Sequence, residues 1–121
     1  MEKKMNLVIQ GTKNFSEYSI FMRAMHTAMT IVQIKQATKV TIFSAGPLNI
    51  NDMVREFFGV TERSLKSKGI SIKIVRIPPK WINENISEID YFVYLSKPKE
   101  SLSPQAELAE AKNVEIGVYR Y

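Results

Sequence analysis

Met5-Asn6-Leu7-Val8-Ile9-Gln10-Gly11 is a short apolar run stopped by a glycine, and it reads as a buried strand. The period then changes. Phe21, Ala24, Met25, Ala28, Ile31 and Val32 recur at helical spacing, with Ser16 as the expected cap and Phe15 with Ile20 as a hydrophobic staple. Lys39-Val40-Thr41-Ile42-Phe43 returns to a strand rich in β-branched residues and ends in Ser44-Ala45-Gly46-Pro47, a loop signal.

The alternation continues outward. Asn51 or Asp52 is expected to begin a second helix carrying Met53, Val54, Phe57 and Phe58, with Gly59 interrupting it and Gly69 stopping it. Residues 71–77 read as a third strand closed by Pro78-Pro79, and residues 81–89 as a loop with one helical turn. Residues 91–95 read as a fourth strand. Ser103-Pro104 pairs a cap with proline at the first helical position, which predicts a helix through Lys112. Residues 114–119 read as a fifth strand. Strands alternating with helices imply βαβ crossovers, hence a parallel sheet covered on both faces. The reading is one α/β domain over residues 1–121, Rossmann-like, with five mainly parallel strands in the order 3-2-1-4-5. Phe21, Ile42, Phe57, Ile74 and Val93 are its expected core.

Composition agrees with an ordinary globule: 121 residues, 45% hydrophobic and 24% charged. No segment reaches the roughly eighteen apolar residues of a membrane span. Met1-Glu2-Lys3-Lys4-Met5 carries no secretory cleavage pattern, and cysteine is absent. These features predict a cytoplasmic protein without membrane partners. The net charge of +5 comes from Lys13, Arg23, Lys39, Arg55, Lys73, Arg76, Lys97, Lys112 and others scattered along the chain. Dispersed charge reads as a solvated surface with only weak, non-specific attraction to nucleic acid.

In an open parallel sheet, ligands bind beyond the carboxyl ends of the strands, where the strand order reverses. Three segments should converge there: Gly11-Thr12-Lys13-Asn14, then Ser44-Ala45-Gly46 with Asn49 and Asp52, and residues 96–103 with Ser101 and Ser103. Each precedes a helix, whose free N–H groups and positive dipole end suit an anion such as phosphate. Gly11 and Gly46 would permit close backbone approach, and Lys13 would supply counter-charge. The same residue types also serve ordinary turn geometry and capping. The dinucleotide and P-loop fingerprints are both absent. His26 is the sole histidine and falls mid-helix, so no metal centre and no cofactor are expected. Met22, Met25 and Met29 read as core filling, and Trp81 as either a ligand-stacking ring or a ring packed over the sheet edge. The carboxylates near the expected site are Asp52, Glu56, Glu100 and Glu107.

With these residues in view, the chain resembles the SLOG superfamily, and within it the small YspA-like Rossmann-type domains, over nearly its whole length. Residues 7–15 resemble that family's opening strand, Gly-Ser-Arg-type turn and following aromatic. Residues 41–46 resemble the strand leading into its glycine-rich loop, with Asp52 matching the aspartate that starts the next helix. Residues 69–74 with Pro78 and Trp81 resemble its third strand and Pro-x-x-Trp ending. Residues 101–107 resemble its Ser/Thr-rich turn and the glutamate-bearing last helix, here Glu107. Pro47-Leu48-Asn49-Ile50-Asn51 replaces two of the family's loop glycines, and the helix is longer around residues 59–64.

The resemblance implies a nucleotide or nucleotide-derived small molecule as partner, bound by a non-catalytic module acting as a sensor or as a phage accessory or anti-defence factor. Two alternatives stand beside it. One is an N-glycosidic hydrolase resembling phosphoribohydrolases, with Glu107 or Glu56 polarising the bond and Ser44 or Ser103 holding phosphate. The other is a protein-interaction factor with a degenerate pocket. The sequence leaves homo-oligomerisation open. If the three loops line one cleft, Gly46→Val is expected to obstruct it while leaving the fold largely intact, provided the backbone angles there permit a side chain.

Overall fold

The computed structural model describes residues 2–13 and 15–120. Its elements are β1 (Lys4–Gly11), α1 (Tyr18–Ile34), β2 (Lys39–Ser44), α2 (Leu48–Ser67), β3 (Ser71–Arg76), α3 (Pro79–Glu84), β4 (Tyr91–Ser96), α4 (Pro104–Ala111) and β5 (Glu115–Arg120), with a 3-10 turn at Ile86–Glu88. One sheet runs β3-β2-β1-β4-β5, and every neighbouring pair is parallel. The expected order is the observed one. Parallel neighbours cannot be joined by a hairpin, so each connection crosses the sheet through a helix or a long loop.

Alternation along the strands divides the interior in two. Leu7, Ile9, Val40, Ile42, Val93 and Leu95 face α1 and α2, where Phe21, Met25, Phe57 and Phe58 complete the larger core. Val8, Phe92 and Tyr94 face α3 and α4, meeting Ile82, Ala106 and Ala109. Of the five expected core residues, Phe21, Ile42, Phe57 and Val93 are buried, while Ile74 on edge strand β3 is half-buried. The Phe57 ring lies edge-on to Phe21, Phe58 and His26 at 5.0 to 6.2 Å. His26 is thus an exposed helix residue leaning on an aromatic. Trp81 stacks on Phe43 at 4.4 Å and packs on the smaller core.

Local signals misplace several details. Met25 and Met29 fill the core, but Met22 is 38% exposed, because its position on α1 turns away from the sheet. The α1 cap is Glu17, whose side chain makes no capping bond, so Ser16 does not cap and the expected staple register is shifted. Helix α2 starts at Leu48, earlier than Asn51 or Asp52, because Pro47 supplies the extended cap conformation. It also runs through Gly59 unbroken. Buried Ile50, Met53, Val54, Phe57, Phe58 and Leu65 tie it to the sheet on both sides of that glycine, and one glycine costs a helix only about 1 kcal/mol. The helical turn expected within residues 81–89 begins earlier and is a six-residue helix, Pro79–Glu84, followed by the 3-10 turn.

β4 begins opposite Leu7, leaving the lower part of β1 beyond its reach. Asn6 and Asp90 fill that step. The Asp90 N–H donates to the Asn6 carbonyl at 2.9 Å, the Asn6 N–H donates to the Asp90 carboxylate at 2.7 Å, and the Asn6 amide donates to the Glu88 carbonyl at 2.8 Å. Just above, Tyr91 is 4% exposed, with its phenol 3.4 Å from that of Tyr119. Burial first, and then the Tyr119 hydrogen bond, hold the Tyr91 phenol well above its ordinary value of 10.

Two outcomes follow from this fold. A Cβ at Gly59 would meet nothing within 4 Å, so Gly59→Ala is expected to stabilise the protein by about 0.5–1 kcal/mol, read as a higher urea midpoint at unchanged slope. For Tyr91, the folded state keeps its proton at a pH where the unfolded chain releases it. Its contribution is therefore complete below pH 10 and is lost as pH rises further. Tyr91→Phe should flatten that alkaline loss in melts taken from about pH 9 to 11.

Candidate functional site

The strand order reverses between β1 and β4. From this point the loop after β1 leads to α1 on one face, and the loop after β4 leads to α4 on the other. The loops are laced together. The Gly11 N–H donates to the Gly46 carbonyl at 3.4 Å, and the Thr12 N–H donates to the Leu95 carbonyl at 3.0 Å. The Asn49 amide donates to the carbonyls of Thr12 and Phe15, and the Ser44 hydroxyl donates to the Asn51 side-chain carbonyl. Ala45 is buried, with its N–H on the Ile9 carbonyl at 2.9 Å.

The two glycines serve the protein itself. A Cβ at Gly11 would stand 2.8 Å from both Ile50 Cδ1 and the Leu95 carbonyl oxygen, so the space that glycine frees is filled from within. Gly46 has φ +80, in the left-handed region. The condition set on Gly46→Val is therefore not met, and the substitution is not expected to spare the fold: a β-branched residue is strained there whatever room surrounds it.

Glu100 lies at the reversal point itself. Its Oε1 accepts from the Thr12 hydroxyl at 3.0 Å and from the Lys97 backbone N–H at 2.7 Å. The turn that carries it has Pro98 followed by Lys99 at φ 72, and closes with the Glu100 N–H on the Lys97 carbonyl at 3.3 Å. A carboxylate of the chain thus occupies a place with two donors at the carboxyl edge. The same edge gathers basic residues that look dispersed in the sequence. Lys13 follows β1, Arg76 ends β3, Lys97 and Lys99 follow β4, and Arg120 ends β5.

On the α4 side a second polar chain runs inward. The Ala106 N–H donates to the Ser103 hydroxyl at 3.1 Å, and that hydroxyl donates to buried Gln10 at 2.6 Å. The Gln10 amide donates to Gln105 at 3.2 Å, and Gln105 donates to Asn83 at 2.9 Å. Ser103 therefore caps α4 as expected. The Tyr94 phenol donates to the Ser101 carbonyl at 3.4 Å, and burial, followed by the Glu100 charge, raises its pKa.

The structure thus joins Gly11, Thr12, Ser44, Ala45, Gly46 and Asn49 into one polar knot. Thr12 links it to the Glu100 turn, and Ser101 and Ser103 stand on the α4 side. Lys13 is exposed at the rim. Asp52 on α2 and Glu107 on α4 are exposed and belong to opposite faces. Asn14 lies outside the described residues. Gln10, Asn51 and the particular role of Glu100 escape a reading by motif. A polar residue closing an apolar strand, as Gln10 does, is the signal that points to the first. A hollow of about 650 Å³, lined by Lys35, Asp90, Lys112 and Glu115 among others, lies at the amino end of the sheet, away from these loops.

No protein-family model matches the sequence, and no curated protein matches it. Among solved structures, the crystal structure of Mycobacterium tuberculosis shikimate dehydrogenase resembles the chain with a TM-score of 0.42 and 8% identity. The likeness covers 98% of this chain and 46% of that one, so this chain spans less than half that protein's length. Strand order and parallel pairing establish the Rossmann-like fold by themselves. Among the described residues, no helix is long and apolar enough to cross a membrane.

Two serines at this edge should respond oppositely to truncation. The Ser96 hydroxyl is fully buried and has no hydrogen-bond partner among the described residues, so Ser96→Ala should be neutral or stabilising. Ser44→Ala strips buried Asn51 of its partner and should cost about 1–3 kcal/mol. Paired chemical denaturation curves check both.

Proposed function

We propose that this protein is a non-catalytic module that binds a nucleotide or nucleotide-derived small molecule through its anionic group at the carboxyl edge of the sheet. The observation that carries this reading is the Glu100 carboxylate. It is held at the strand-order reversal by the Thr12 hydroxyl and the Lys97 N–H, donors that a phosphate oxygen would use equally well. The α1 and α2 termini, both without a side-chain cap, and the rim of Lys13, Arg76, Lys97 and Lys99 add favourable potential. The SLOG resemblance supplies the ligand class. A role as a sensor or phage accessory factor, acting in the cytoplasm, belongs to the same proposal.

The lacing of the loops favours a second reading, a protein-interaction factor whose pocket has closed. The hydrolase reading draws less support. Ser44 is 1% exposed and bonded to Asn51, Ser103 is spent on α4 and Gln10, and Glu56 and Glu107 are exposed on separate faces.

A thermal-shift screen with AMP, cyclic dinucleotides and ADP-ribose tests the proposal, followed by calorimetry on the strongest response. A ligand at a hundred times its Kd should stabilise the protein by about 2.7 kcal/mol. Lys13→Ala should weaken binding at low salt, and the difference should shrink once the Debye length falls well below about 10 Å. Glu100→Gln should tighten binding, because it removes the charge that competes for the same donors. Absence of any shift defeats the proposal in favour of the interaction reading, and turnover in the same wells defeats it in favour of the hydrolase.

A further inference from the structure

Ser96 ends β4 at the reversal point, and its hydroxyl is the one buried side-chain oxygen or nitrogen among the described residues without a hydrogen-bond partner. Protein interiors seldom leave such a group unpaired, so an orphan at the edge where open parallel sheets bind ligands calls for a cause. Alternation along β4 places Ser96 on the same face as Phe92 and Tyr94, toward α3 and α4. The chain returns over that face. The Tyr94 phenol donates to the Ser101 carbonyl, and Gln10, the register partner of Tyr94, accepts from the Ser103 hydroxyl. Ser96 therefore lies beneath the 97–103 segment, and it is 0% exposed. Its neighbours are the two residues that hold Glu100. Thr12 stands one step beyond the Gly11–Leu95 register pair, with its N–H on the Leu95 carbonyl, and Lys97 is the next residue along the chain.

We infer that the Ser96 hydroxyl is the inner donor of the anion site, and that the Glu100 turn is a displaceable plug standing over it. This rests on the binding of an anion at this edge, and it names the bound group as a terminal phosphate. A carboxylate offers two oxygens in one plane, and Glu100 spends Oε1 on both the Thr12 hydroxyl and the Lys97 N–H. A terminal phosphate is tetrahedral and carries three free oxygens, one for each of Thr12, the Lys97 N–H and Ser96. A phosphodiester carries only two. The plug is held by its carboxylate, for the turn behind it has Lys99 at φ 72 and closes with a bond of 3.3 Å. When phosphate takes the place of Glu100, the turn lifts and the Ser96 hydroxyl gains the partner that the closed state denies it.

Calorimetry with AMP, ADP-ribose and a cyclic dinucleotide, on the full chain and its Ser96→Ala and Glu100→Ala variants, tests the inference. AMP alone of the three ends in a phosphomonoester and should bind tightest. Ser96→Ala should weaken AMP about tenfold, the worth of one hydrogen bond to a charged group, while the unliganded variant melts no lower than wild type. Glu100→Ala should tighten AMP, and the loss from Ser96→Ala should persist when the two are combined. Equal AMP affinity in wild type and Ser96→Ala overturns the inference and leaves anion binding at this edge standing. Binding of ADP-ribose or the cyclic dinucleotide without AMP does the same. A lower melting temperature for unliganded Ser96→Ala also overturns it, because the hydroxyl would then be spoken for within the protein. Silence toward all three ligands defeats the inference and the proposed function together.

Discussion

Leu7, Val8 and Ile9 are wholly shut off from solvent, and they sit on the central strand, which pairs on both sides and feeds both cores. Parallel pairing imposes this burden on β1. Because its neighbours cannot be reached by tight turns, the connections must cover the faces with helices, and the central strand then has no polar side to offer. The step between β1 and β4, the Asn6–Asp90 clip that fills it and the divergence of the following loops all derive from where this strand stops and starts.

That constraint explains what can be read without coordinates. A strand apolar on both faces announces itself, as do β2 and β4, and alternation with helical periods leaves few topologies to consider. The edges of elements are harder. Nothing local tells that Glu17 rather than Ser16 ends the turn before α1, or that α2 tolerates Gly59, since in both cases tertiary burial outweighs propensity. The meeting of the three loops was legible as a place but less so as a set of contacts. The three loops converge as topology demands, yet Gly11 makes room for Ile50, and Gly46 serves backbone angle. Thr12 reaches a carboxylate many residues away in sequence, and no spacing rule encodes such a meeting. The basic residues teach the same lesson: they are scattered along the chain and gathered only because strand ends share an edge.

The carboxyl edge therefore holds two tendencies in one structure. Its hydrogen bonds are largely satisfied from within, as a stable loop cluster requires, while its basic rim and held carboxylate are the features on which the proposed anion binding rests.

The polar chain beneath α4 has a direction. From the Ala106 N–H through Ser103, Gln10 and Gln105 to Asn83, every group donates toward α3. Dipoles aligned head to tail polarise one another. Turning over the Gln105 amide alone would set donor against donor at Gln10 and acceptor against acceptor at Asn83. The three side-chain amides thus share one joint orientation, a short polar row that ties the cap of α4 to the surface of α3.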